Sequence, residues 1–142
     1  MTIAAILKSK GSDVVTLPPS ASVAGAVALL AEKRIGALPI VEGEEVVGVF
    51  SERDVIYCLA SKGAVALDLT VGEVMTAPAR TVAPGEPVLG ALSLMTRRRM
   101  RHLPVVDGGR LVGLVSIGDL VKYRIDRIEQ EAEAMRSYIQ SA

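Results

Sequence analysis

Two segments of the chain place a serine three residues before an aspartate, directly after an apolar run. They are Ser51-Glu-Arg-Asp54 and Ser116-Ile-Gly-Asp119. Each predicts a strand that stops at the serine and a helix that begins there, so a hydroxyl, backbone N–H groups and a carboxylate meet where the helix dipole favours an anion. Together these groups can hold a phosphate and a sugar diol. The alternative is that each serine and aspartate only caps its helix.

These motifs belong to an internal repeat, because adding 65 to a position in the first half finds its counterpart in the second. Upstream the offset becomes 68, so the first half carries three extra residues near Lys10. Self-similarity of this kind predicts a duplicated module. Matching positions include Pro19 and Pro84, Gly25 and Gly90, Leu38-Pro39 and Leu103-Pro104, and Gly48 and Gly113.

Each copy is predicted to fold in the order β-α-β-β-α after a short leading helix, which gives an α/β (α+β) fold class. Helix-spaced apolar residues follow Ser22 and Pro87, and two β-rich runs joined by glycine turns come next. Neither half is large enough to bury its own apolar faces, so the halves should pack about a pseudo-two-fold axis. The predicted division is repeat 1 at 1–62, a linker at 63–69, repeat 2 at 70–126 and a C-terminal helical extension at 127–142.

Composition narrows the class of protein. Sixteen basic residues balance sixteen acidic ones, which argues against nucleic acid or a membrane surface as partner. The single cysteine, Cys58, lies in an apolar helical stretch, excludes an intrachain disulfide and is expected to be buried. No secretory signal or membrane-spanning run is visible, so we expect a cytoplasmic protein. With one histidine and no ligand spacing, no metal site is predicted.

The repeated pattern resembles the CBS domain, named for cystathionine β-synthase, in its tandem form. The resemblance rests on Gly-Ala-Leu-Pro-Ile-Val and Arg-His-Leu-Pro-Val-Val, a glycine turn, and Gly-x-x-Ser-x-x-Asp in two ordered copies. It implies a non-enzymatic regulatory module that senses AMP, ADP, ATP or, in some members, S-adenosylmethionine or NAD. The adenine nucleotide would act as an effector and not as a catalytic cofactor. The regulated protein is unknown.

The resemblance also implies two clefts, each built from both repeats, in which the aspartate holds the ribose hydroxyls. Arg101 and His102 replace the small Gly36 and Ala37 of the first copy, so we expect the Asp119 cleft to be the better phosphate site. The first cleft comprises Ser51, Arg53 and Asp54, with Pro78, Ala79, Arg80 and Met100 opposite. The second cleft comprises Arg101, His102, Ser116 and Asp119, with Asp13, Val14, Val15, Ile35, Gly36 and Ala37 opposite.

A run of basic residues, 97–102, contains the chain's densest positive charge. We expect Arg101 to point inward and at least two of the other three arginines to be solvated at a helix C-terminus. The last helix repeats apolar residues in steps of four and three, which predicts a seam for an intermolecular contact and a homodimer. The alternative is that it folds back on its own module. Seam positions are Val121, Ile125, Ile128, Ala132, Met135 and Ile139.

Two other functions are weighed against a nucleotide sensor. The first is hydrolysis by Ser51 or Ser116 with His102, but the chain has one histidine and no visible charge-relay order. The second is a ligand-free dimerisation or adaptor module that regulates a partner protein, in which the Ser-x-x-Asp motifs only cap helices.

Overall fold

The structure is a computed structural model and describes residues 1–141. The two halves contain matching elements in the predicted order. In the first half these are α1 (Ile3–Lys10), α2 (Val23–Lys33), β1 (Ala37–Glu42), β2 (Glu45–Ser51) and α3 (Glu52–Lys62). A 3-10 helix (Gly63–Asp68) then leads to α4 (Val71–Val74), α5 (Val88–Arg98), β3 (His102–Asp107), β4 (Arg110–Ser116) and α6 (Ile117–Ser141).

The strands form one antiparallel hairpin in each half, β1 with β2 and β3 with β4. The two hairpins have equivalent registers, since Leu38 pairs with Phe50 and Leu103 pairs with Val115. The predicted first strand of each repeat is reduced to a single parallel bridge. These bridges join Leu17 to Ile40 and Val82 to Val105.

The central helices α2 and α5 have equivalent ends. The Ser22 hydroxyl accepts a hydrogen bond from the N–H of Gly25, which caps α2, and Pro87 precedes α5 with a φ of −65°. Each helix ends on an arginine in the left-handed conformation, Arg34 or Arg99, both with φ of 54°. This termination turns the chain sharply into residues 35–37 and 100–102.

The leading helices are exchanged between the halves. Ile3 and Ile6 of α1 are buried in the hydrophobic core of the second half, while Val71 of α4 is buried in the core of the first. Backbone hydrogen bonds hold this arrangement, from the N–H of Ile3 to the carbonyl of Glu86 and from the N–H of Val71 to that of Ala21. The halves therefore interlock.

Each half has its own hydrophobic core, made mostly of aliphatic side chains. The first contains Val23, Ala26, Leu30, Leu38, Ile40, Phe50, Cys58 and Ala66, together with Val71. The second contains Val82, Val88, Ala91, Met95, Leu103, Val105, Val115 and Leu120, together with Ile3 and Ile6. Cys58 is buried, as predicted.

The predicted domain bounds remain predictions, but the structure describes the segments they join. The segment 63–69 packs against the first half, because Ala66 is buried in its core. Helix α6 runs without a break across position 126. Of the predicted extension 127–142, Ala142 lies outside the described residues. Within residues 1–141, no helix is both long and apolar enough to cross a membrane.

Candidate functional site

The carboxylate of Asp54 lies where the two halves meet. Its Oδ2 accepts hydrogen bonds from the Ser51 N–H at 2.8 Å and the Ser51 hydroxyl at 3.1 Å, and its Oδ1 accepts one from the Thr76 hydroxyl at 2.8 Å. Thr76 follows α4 and pairs its backbone with Val49 of β2. A half-buried aspartate of the first repeat is therefore contacted by the leading segment of the second.

Asp119 occupies the equivalent place in the second half, but a cation contacts it. Its Oδ2 accepts hydrogen bonds from the Ser116 N–H at 2.8 Å and from Lys10 Nζ at 2.6 Å. Lys10 also donates to the backbone oxygen of Leu114 at 2.7 Å. Burial raises the pKa of Asp119, but the hydrogen bond from Lys10 and that from Ser116 outweigh it, so this pKa lies below its ordinary value.

The three extra residues of the first half account for this difference between the sites. Helix α4 ends at Val74, and the chain after it lies beside β2 as a backbone bridge that brings Thr76 to Asp54. Helix α1 continues to Lys10, so a lysine side chain reaches the corresponding carbonyl of β4 and the aspartate beside it. One carboxylate is therefore bonded to a neutral hydroxyl and the other to an ammonium group.

The helix N-termini are less open to an anion than the sequence suggested. The first helical N–H of α3, on Glu52, donates to the carbonyl of Gly36, and the first of α6, on Ile117, donates to that of Arg101. The N–H groups of Asp54 and Asp119 are directed at the serine hydroxyls. The hairpin and the reciprocal cap thus use two amides at each helix start. These amides therefore donate to carbonyl and hydroxyl oxygens of the protein.

His102 lies at the junction between the two halves. It is half-buried, and a Cβ on Gly36 would lie 3.0 Å from its Cε1. Burial lowers the pKa of His102 below its ordinary value. The negative charges of Glu52 and Asp119 oppose this shift, and the positive charges of Lys10 and Arg101 add to it. The imidazole is thus within electrostatic reach of charged residues from both repeats.

The remaining first-cleft residues belong to α3, to the segment after α4 and to the segment after α5. Arg53 Nη1 donates to the backbone oxygen of Arg99 at 2.8 Å, which brings α3 beside the segment that contains Met100. Met100 is half-buried against the second core. Pro78 and Arg80 are exposed and Ala79 is half-buried; they follow Thr76 in the chain.

The remaining second-cleft residues differ widely in exposure. Asp13 is exposed, Val14 is half-buried, Val15 and Ile35 pack against the first core, and Ala37 is buried.

The prediction that Arg101 points inward is wrong. Its side chain is exposed, as are Arg97, Arg98 and Arg99. Removing a guanidinium group from water is costly unless an anion compensates it, and no carboxylate of the described residues forms an ion pair with Arg101.

Two contacts at this site were missed by the sequence analysis, those of Lys10 and Thr76. The signal was the change of offset from 65 to 68, which falls between the leading helices and the first bridges of the two halves. No cluster of three His, Cys, Asp or Glu side chains suited to a metal occurs among residues 1–141.

The sequence profile of the CBS domain matches this chain twice, at residues 7–61 and 71–126. Each match contains one hairpin and one Ser-x-x-Asp motif at the start of the following helix. The chain belongs to the CBS domain family and carries two copies of the domain, which confirms the predicted repeat and fold class.

Curated relatives include proteins of similar size and larger enzymes. The chain is 32% identical to the mitochondrial CBS domain-containing protein CBSX3 of Arabidopsis thaliana, over 98% of this chain and 72% of that protein. It is 40% identical to inosine-5'-monophosphate dehydrogenase of Mycobacterium tuberculosis over 78% of this chain, but only 20% of that enzyme's length is matched.

Solved structures of CBS proteins superimpose well on this chain. The CBS-domain protein ATU1752 of Agrobacterium tumefaciens has a TM-score of 0.84 at 36% identity and covers 87% of this chain and 99% of its own. PAE2072 of Pyrobaculum aerophilum, in complex with AMP, gives 0.75 at 29% identity and 84% and 89% coverage. The CBS pair of MJ0100, in complex with 5'-methylthioadenosine and S-adenosylmethionine, gives 0.79 at 26% identity and 89% and 98% coverage.

Proposed function

We propose that this chain is a non-enzymatic regulatory module that binds an adenine nucleotide, AMP, ADP, ATP or NAD, in the clefts between its CBS domains. One observation carries the proposal. Asp54 and Asp119 are half-buried, and each is contacted by the leading segment of the opposite repeat, through Thr76 and Lys10. A ligand that bonds to either carboxylate would therefore touch both repeats and change how they pack.

Ligands of the solved relatives support the class of compound. AMP in one and S-adenosylmethionine and methylthioadenosine in another share an adenosine group. A carboxylate is suited to the ribose hydroxyls, because it accepts charge-assisted hydrogen bonds from both. The adenine would lie against small and apolar residues and be read by backbone groups. In the second cleft these are Val14, Val15, Ile35, Gly36 and Ala37, and in the first they are Pro78, Ala79 and Met100.

The second cleft is proposed as the better phosphate site. Lys10 is bonded to Asp119, and the charge of Arg101 acts on the adjacent His102. The exposed guanidinium of Arg101 could bind an incoming phosphate, and Lys10 could donate a further hydrogen bond to it. The first cleft would use Arg53 and Arg80 in this role.

Calorimetry on ligand-stripped protein tests the proposal. AMP is expected to bind, and Asp119→Asn should weaken it about 10- to 100-fold, because a charge-assisted hydrogen bond contributes about 1.5–3 kcal/mol. Asn keeps the size of the helix cap, and thermal melts would show that the variant is folded. Asp107→Asn, at the exposed end of β3 in the same repeat, is the matched control and should bind as wild type.

Absence of binding by AMP, ADP, ATP and NAD would refute the proposed function. Binding that Asp119→Asn and Asp54→Asn both leave unchanged would refute the site but keep the function. Mass spectrometry of the denatured protein would identify a co-purified nucleotide directly.

A ligand-free adaptor is the second candidate, and one observation favours it. Both Ser-x-x-Asp motifs form reciprocal helix caps from their own side chains and backbone N–H groups, at Ser51 and Ser116. Under either proposal the chain forms a homodimer and regulates a partner protein. A thermal-shift screen separates the two, because only a sensor gains stability as ligand exceeds its dissociation constant.

A further inference from the structure

Helix α6 presents a continuous apolar face that its own module leaves exposed. Every residue from 125 to 141 is exposed. The side chains of the predicted seam become more exposed along the helix. Their exposed fractions are 42% for Val121, 49% for Ile125, 49% for Ile128, 59% for Met135 and 64% for Ile139.

The module contacts a different face of this helix. Leu120 is buried in the second core and Tyr123 packs against it. At 100° per residue, the seam that starts at Val121 lies about a quarter turn from Leu120 and nearly half a turn from Tyr123. The body of the protein therefore holds α6 in place without covering the seam.

We propose that this face binds the same face of a second copy of the chain, as a parallel, in-register pair of helices. Seam residues follow a heptad pattern, with Ile125, Ala132 and Ile139 at its a positions and Val121, Ile128 and Met135 at its d positions. The inference gives the proposed homodimer a geometry and does not depend on nucleotide binding.

Charges beside the seam favour the parallel arrangement. In a parallel pair, a g residue of one helix lies beside the e residue five positions further along the other. Arg124 would then face Glu129 of the second copy, and Glu131 would face Arg136 of the second copy. By symmetry each pair occurs twice, so the dimer gains four contacts between opposite charges.

An antiparallel pair aligns the apolar residues equally well but not the charges. Val121 would meet Ile139, Ile125 would meet Met135, and all layers would be filled. In that arrangement, however, Glu129 would lie beside Glu129 of the second copy, and Glu131 beside Glu131 of the second copy. Like charges this close oppose pairing. Charge, and not apolar fit, therefore selects the parallel form.

The ion pairs within this helix are exposed and can exchange partners. Arg136 contacts Glu133 at 2.9 Å and Arg127 contacts Glu131 at 4.0 Å within the same helix. These pairs are well exposed, so they contribute little to stability and do not compete strongly with contacts across the dimer.

Cysteine cross-linking of the full chain tests the orientation. In a Cys58→Ala background, Met135→Cys should form an intermolecular disulfide under mild oxidation, because identical d positions meet in a parallel pair. In an antiparallel pair the two 135 positions would be about 15 Å apart, which is too far for a disulfide. Glu133→Cys, on the outer face, is the matched control and should not cross-link.

Sedimentation equilibrium tests the charge argument. Glu131→Lys should weaken the dimer about tenfold, since two attractive pairs become repulsive, and Glu131→Lys/Arg136→Glu should restore it. Glu133→Lys makes the same charge change off the seam and should have no effect. A monomer at all concentrations, or a dimer that Met135→Cys does not cross-link, would overturn the proposal.

Discussion

The ion pair between Lys10 and Asp119 ties the first helix of the chain to the start of the last. Lys10→Met removes the ammonium group and keeps most of the apolar stem. The pair is 2.6 Å long, and its side chains are 38% and 27% exposed, so solvent screens it in part. We therefore expect a loss of about 1 kcal/mol at neutral pH, because the carbonyl of Leu114 can bond to water instead. In a domain of this size, that is about 3–5 °C in Tm.

This loss should depend on pH in a defined direction. Because the pKa of Asp119 is lower in the folded chain than in the unfolded one, its contribution is complete above the unfolded pKa of about 4. The contribution disappears as the pH falls through the lowered folded pKa. The difference between wild type and Lys10→Met should therefore shrink in strongly acidic solution.

Thermal and urea unfolding at neutral and acidic pH measure both quantities. Lys8→Met is the matched control, since it removes the same charge from an exposed position of the same helix. If Lys10→Met were as stable as Lys8→Met, or if its deficit were the same in acid, the ion pair would not have the role assigned here.

Two further predictions concern the junction and the hairpins. Because burial lowers the pKa of His102, the wild type should lose stability as the pH falls below about 6.5, the pKa of the unfolded chain, and through the lower pKa of the folded chain. His102→Gln should not show this loss. Parallel profiles of stability against pH for the two proteins would contradict the prediction. Gly48→Ala would place a Cβ 2.9 Å from the backbone oxygen of Thr76, whereas Gly113→Ala meets only the flexible side chain of Leu7. Urea unfolding should show Gly48→Ala to be the less stable by about 1–2 kcal/mol, and equal stabilities would refute this packing argument.

Much of the fold was predictable because its signals are local and occur twice. Helix spacing, the glycine turns and the Ser-x-x-Asp caps each depend on a few adjacent residues, and the second copy confirmed each reading of the first. The exchange of α1 and α4 was not predicted. Apolar spacing shows that Ile3 and Val71 are buried, but the core that receives them is determined by tertiary packing.

The site was predictable in outline and less so in its charges. Both aspartates lie at the junction of the repeats, yet the sequence pattern does not show which side chains contact them. Lys10 contacts Asp119 across 109 positions of the chain. The only sign of this contact in the sequence is the change of repeat offset from 65 to 68 near Lys10. The exposure of Arg101 also could not be predicted from its position in the repeat, because it depends on which charged side chains the tertiary fold brings close to it.

The exchanged leading helices have a consequence for how such a protein can be divided. A chain cut between Asp68 and Thr70 would separate Ile3 and Ile6 from the second core, in which they are buried. It would also separate Val71 from the first core. A polypeptide with a single repeat of this design could complete its interior only by borrowing a helix from a second molecule. When two repeats are joined in one chain, each receives the leading helix of the other within the same molecule. Completing the two cores then no longer depends on protein concentration.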